Sequence, residues 1–144
     1  MDNMTLEEKL DYLAYHVHGW RLAKDRSTNE LGWYDDQGDW ICWESSYREG
    51  EVWNPYCRYH SDSYSVALED GNRSIRSAML RKGGELLIKC ELPNITFVTF
   101  RLPKLDVGVT ISRDHLPTAV ADSAIWTVQT AIRLYGVPNT WRRG

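Results

Sequence analysis

The stretch from Ile95 to Leu102, Ile-Thr-Phe-Val-Thr-Phe-Arg-Leu, carries apolar side chains at both odd and even positions. Successive side chains of a strand point to opposite faces, so this pattern predicts a strand covered on both sides. Strands flank it. Leu86, Ile88, Cys90 and Leu92 alternate with Glu85, Lys89 and Glu91, Leu87 being the apolar exception, and Val107, Val109 and Ile111 alternate with Gly108, Thr110 and Ser112. The connections at Pro93-Asn94 and over 103–106 are short, so neighbouring strands should run antiparallel.

Helices supply the covering layers. Thr5 and Glu8 form a capping box ahead of the stripe Leu6, Leu10, Leu13 and Val17, and Gly19 offers a left-handed end, which predicts a helix over 6–18. A second helix should open at Ser61-Asp62-Ser63 with the stripe Tyr64, Leu68, Ile75 and Met79, either continuous to Gly83-Gly84 or broken at Asp70-Gly71-Asn72. Asp114 and Pro117 start a third, whose apolar face runs through Ala121, Ala124, Ile125, Val128, Ala131, Ile132 and Tyr135 to Gly136.

Between the first two helices, Trp40–Trp43 reads as a strand after an Asp36–Asp39 turn, with a second strand over 51–53 completing a hairpin. The expected fold is α+β, an antiparallel four- to five-stranded sheet with helices on both faces, in the order α-β-β-α-β-β-β-α. At 144 residues the chain fits one domain, with 139–144 as a loose tail.

Composition narrows the function classes. The three cysteines, Cys42, Cys57 and Cys90, have no Cys-x-x-Cys spacing, which removes zinc knuckles and dithiol redox motifs and fits buried thiols in a reducing compartment. The start Met1-Asp2-Asn3-Met4 has no apolar signal region, and no apolar run approaches the ~20 residues that cross a bilayer, so a soluble, cytoplasmic protein without membrane contact is expected. Charge divides unevenly, −7 over 1–62 and +4 over 63–144. Arg73, Arg76, Arg81 and Lys82 give the second helix a basic face.

No catalytic pattern emerges. His16 and His18 point about 200° apart on a helix, too far to share a metal. There is no Gly-x-Ser-x-Gly elbow, and Gly83-Gly84 lacks the lysine and helix start of a phosphate loop. Ser61, Asp62, His60 and His115 read as helix-start residues rather than a triad. Neither a metal nor a cofactor is expected.

The suggestive region is aromatic. Nine of the fifteen Trp and Tyr residues lie between Trp33 and Tyr64, with Arg48 and Arg58 interleaved. Such residues pack cores, form protein-interface hot spots, or stack on nucleotide bases. The candidate binding set is Trp33, Trp40, Trp43, Arg48, Trp53, Tyr56, Arg58 and Tyr59. Strand alternation places Trp40 with Cys42 and Ile41 with Trp43, so one of Trp40 and Trp43 should be buried and the other available.

Gly19-Trp20, the run Tyr59-His60-Ser61-Asp62 with Ala67 following, and Leu116-Pro117-Thr118-Ala119 resemble the phage ABA-sandwich domain family, over about Leu6 to Tyr135. The resemblance implies helix, sheet and helix layers, a phage or prophage origin, and an accessory role outside the virion. It carries no catalytic residue. Asp122-Ser123 departs from the Cys and Arg-like residues more usual there. The expected function is a non-enzymatic anti-defence inhibitor that binds a host protein. A nucleotide-binding or nucleotide-sequestering protein is the alternative, a small hydrolase a third reading, and nucleic acid a disfavoured partner.

Overall fold

The computed structural model describes residues 4–50, 52–57, 63–91 and 95–141. Thr5 Oγ1 accepts the Glu8 amide at 3.1 Å and Glu8 Oε1 accepts the Thr5 amide at 3.3 Å, so the capping box forms. Helix α1 (Leu6–Tyr12) continues as a π-helical segment, Leu13–His18, and Gly19 closes it at φ 76°. A side chain there would sit in the left-handed region that glycine enters freely.

The strands divide into two three-stranded antiparallel sheets rather than one sheet of four or five. The first joins β1 (Arg21–Lys24), β2 (Leu31–Tyr34) and β3 (Trp40–Trp43) in that order. Asp35 Oδ1 holds the β2–β3 turn by accepting the Gln37 and Asp39 amides at 2.9 and 2.8 Å. The hairpin partner of Trp40–Trp43 is therefore β2, which precedes it, and a short helix, α2 (Glu44–Arg48), follows. A strand over 51–53 does not form at Val52 and Trp53, because Trp53 turns to φ 59° and leaves extended backbone; Glu51 lies outside the described residues.

Of the two readings left open for the second helical region, the broken one holds, with the break at Asp70-Gly71-Asn72. A π-helical segment, Ser65–Glu69, ends at Asp70, and Ser74 caps a new helix, α3 (Ile75–Arg81), through the Ser77 amide at 3.1 Å. Ser61 and Asp62 lie outside the described residues. Gly83 at φ 81° and the Gly84 amide bonded to the Met79 carbonyl at 2.9 Å end α3.

The second sheet is β4 (Glu85–Glu91), β5 (Ile95–Leu102) and β6 (Val107–Arg113), with β5 central. Helix α4 (Leu116–Tyr135) lies between this sheet and the layer of α3 and the two π-helical segments. Leu13, Val17, Ile75 and Met79 meet α4 from one side, and Val98 and Phe100 from the other. Every residue of α4 from Ala119 to Val128 is consequently buried, so its apolar face widens to a whole belt. Two hydroxyls knit the helix to the sheet. Ser123 Oγ accepts the Phe100 amide at 2.9 Å and donates to the Val109 carbonyl at 2.6 Å, while Thr127 donates to the Phe100 carbonyl at 3.2 Å.

Strand β5 is covered by helix on one face. Val98, Phe100 and Leu102 are buried under α4, whereas Leu87 and Ile95 on the outer face are 57% and 42% exposed. Phe97 misled the pattern: it is half-buried by its own sheet, in register with Lys89 and Ser112, and Lys89 can cover apolar surface with its stem. The α4 N-cap is His115 rather than Asp114, with His115 Nδ1 2.7 Å from Thr118 Oγ1. Asn139–Trp141, expected to begin a loose tail, forms a 3₁₀ turn whose Trp141 packs against the core, with Lys82 Nζ 5.1 Å from its ring.

Candidate functional site: an aromatic ledge on the first sheet

Half of the aromatic segment is core. Trp33 and Tyr47 are 1% and 2% exposed and pack with Leu10, Trp20, Ile41 and Cys42. Tyr47 donates its hydroxyl to the Leu10 carbonyl at 2.8 Å, tying α2 to α1. Trp53 sets its ring edge-on to Trp20 at 6.2 Å, under the Arg73 guanidinium at 5.8 Å. Tyr56 donates to Asp122 Oδ1 at 2.9 Å. These three aromatics, Trp33, Trp53 and Tyr56, hold the fold together. Arg48 is engaged by carboxylates, with Nε 2.7 Å from Glu44 and its guanidinium reaching Glu7 and Asp11. Arg58 and Tyr59 lie outside the described residues.

The remaining members meet on the surface. Tyr34 pairs with Trp40, and Trp33 with Cys42, so Ile41 is an extra residue in β3 and the register shifts there. The bulge overrides simple alternation. Ile41 and Cys42 are both buried at 6% exposure, while Trp40 and Trp43 share the outer face with ring centroids 4.4 Å apart. Neither tryptophan is buried, contrary to the expectation from alternation: Trp40 is 39% exposed and Trp43 half-buried. Tyr34 adds its ring edge-on to Trp40 at 5.6 Å. Gly32 makes room, since a Cβ there would meet the Trp40 ring at 2.2 Å. The result is a ledge of Tyr34, Trp40 and Trp43 beside the acidic residues Asp35, Asp36, Asp39 and Glu44 of the same hairpin and the helix after it.

Sequence reading missed a buried charge cluster. Asp122, 1% exposed in the middle of α4, receives Lys9 Nζ at 3.2 Å, Arg113 Nη2 at 3.3 Å and the Tyr56 hydroxyl. A carboxylate flanked by Ala121, Ala124 and Ile125 was the one signal available; its partners are distant in sequence. The cluster joins four separate parts of the chain.

Other polar groups are structural in their surroundings. Burial pushes the Cys42 thiol up to about 12, leaving it unreactive as a nucleophile. His16 packs on Tyr12 at 4.4 Å, and among the described residues no His, Cys, Asp or Glu grouping is placed to hold a metal ion. His18 stacks on Trp20 at 4.3 Å and 11°, and its Nδ1 has no hydrogen-bond partner among the described residues. The pair lines a crevice of about 290 Å³ between the β2–β3 turn and α3, with Asp36 and Asp39 on one wall and Arg73 and Arg81 on the other.

Burial, with smaller contributions from Arg81 and Lys82, lowers the His18 pKa from 6.5 to about 3. The unfolded chain therefore binds a proton that the folded chain refuses, and stability is complete above 6.5 and falls as pH drops toward 3. At about pH 4 this one group should remove roughly 3 kcal/mol. Urea titrations of the native chain and of His18→Phe at pH 7 and pH 4 check it: the variant should lose distinctly less on acidification.

No protein-family model, curated protein or solved structure matches the chain. Among the described residues, no helix is long and apolar enough to cross a membrane.

Proposed function

We propose that this chain is a phage- or prophage-encoded, non-enzymatic accessory protein that binds and inhibits a host protein in the host cytoplasm. The observation that carries the binding role is the ledge: Trp40 and Trp43 on one outer face, Trp40 exposed and seated over Gly32, Trp43 half-buried, above a buried aromatic layer. Rigid Trp and Tyr surfaces on a packed base are the usual anchors of interfaces. The phage origin rests on the resemblance at Gly19-Trp20, Tyr59–Asp62 and Leu116–Ala119.

The nucleotide alternative loses support at Arg48, whose guanidinium is held among Glu7, Asp11 and Glu44. Calorimetry against linear and cyclic nucleotides tests that alternative, and no heat at millimolar concentration ends it. For the ledge, Trp40→Ala should cost the fold only about 1 kcal/mol, the loss of its ring contacts with Tyr34 and Trp43. The same change should weaken partner binding by about 2 kcal/mol or more. Thermal unfolding and titration of the partner read the two quantities separately; equal affinity for both chains sinks the proposal.

A further inference from the structure

Among the described residues, strand β4 lies at one end of its sheet, and it pairs with β5 without interruption, from Glu85 opposite Arg101 to Glu91 opposite Ile95. Edge strands are commonly blunted by a proline, a bulge, shortness or charged side chains, because an open edge templates another strand; in β4 the charges are of both signs, Glu85 and Lys89. Seven-residue β4 has no proline and no bulge. Its centre is apolar on both faces, with Leu87 57% and Ile88 41% exposed. Beside it Leu80 of α3 is 49% exposed, and Leu68, Arg76, Leu80, Leu86 and Ile88 line an open groove of about 380 Å³.

We infer that β4 pairs antiparallel with β4 of a second copy of this chain, about a two-fold axis at Leu87, so that the two sheets become one. The strand's own sequence selects this occupant. Pairing about Leu87 sets Leu86 against Ile88 of the partner subunit and Glu85 against Lys89 of the partner subunit, each contact occurring twice by symmetry. Opposite charges facing across strands stabilise a pair, and like charges destabilise it. Moving the axis to Ile88 would set Lys89 against Leu87 of the partner subunit and lose the Glu85–Lys89 contact, so the charges also fix the register. The aromatic ledge belongs to the other sheet, and the dimer presents two of them, which raises the avidity for any partner with repeated sites.

Sedimentation equilibrium over about 1–200 μM protein measures the association. The native chain should be dimeric at the upper end. Glu85→Lys and Lys89→Glu each bring like charges together at both symmetry-related contacts and should raise the dimer dissociation constant roughly tenfold or more. The double charge swap should recover the dimer, and an equimolar mixture of the two single variants should form a heterodimer. Leu87→Lys, at the axis, disrupts it independently, and circular dichroism confirms that each variant is folded. A native chain that stays monomeric throughout overturns the inference, as does a dimer indifferent to these charge changes.

Discussion

Asp122→Ala should lower the unfolding free energy by about 3–5 kcal/mol, although it deletes a charged group rather than an apolar one. The carboxylate neutralises Lys9 and Arg113 and accepts the Tyr56 hydroxyl, inside a helix that is buried all round. Removing it leaves two cations without their counter-charge and a phenol without an acceptor. Lys9 and Arg113 are 21% and 38% exposed, so both can turn partly to water, which places the effect toward the lower end of that range. Asp122→Asn should lose less, because an amide oxygen still accepts from Tyr56. Urea denaturation at pH 7 measures both; an alanine variant within about 1 kcal/mol of the native chain would mean that the cluster is stabilised as well by solvent as by the carboxylate.

Trp33→Ala should destabilise by a similar amount, about 3–5 kcal/mol, for a different reason. Trp33 sits at the centre of the smaller core, edge-on to Tyr47 at 6.0 Å and Tyr15 at 4.9 Å, and tilted against Trp20 at 6.4 Å. No small shift of β2 fills the space that an indole leaves between α1 and α2. The contrast with Trp40→Ala, seven residues further on, is the sharper test, since an energetic difference of several kcal/mol between two tryptophans of one hairpin follows only if one is core and the other is ledge. Fluorescence-detected chemical unfolding of both variants decides it, and equal losses would contradict the assignment.

Local signals in the sequence carried much of the fold. The Thr5–Glu8 box, Gly19, the Asp36–Asp39 turn and the alternation of Val107, Val109 and Ile111 are governed by contacts within a few residues, and the structure realises each of them; at Asp70 it decides an open choice in favour of a broken helix. What depended on distant partners was not legible. Arg21–Lys24 is largely exposed and has no apolar alternation, so β1 left no trace in the pattern. Phe97 read as buried under a helix because periodicity cannot separate burial by a second layer from burial by strand neighbours. The bulge at Ile41 moved Trp40 and Trp43 onto one face, and a single inserted residue leaves no compositional mark. The binding set was legible as a cluster of residue types only: Trp40 and Trp43 reached the surface, while Trp33, Trp53, Tyr56 and Arg48 were drawn into packing and ion pairs. Asp122 lies at the opposite extreme, a single acidic letter whose role appears only when residues 9, 56 and 113 converge on it.

The central claim is that the ledge of Tyr34, Trp40 and Trp43 is where a host protein docks. A photoreactive phenylalanine analogue placed at Trp43, in chain expressed inside bacterial cells, tests it most directly when the crosslinked protein is then purified and titrated by calorimetry. Docking at the ledge should give one dominant adduct, and a purified partner whose affinity falls about 30-fold or more when Trp40 and Trp43 are both replaced by Ala. A partner that binds the native and doubly substituted chains equally, or the absence of any adduct at this position, would contradict it.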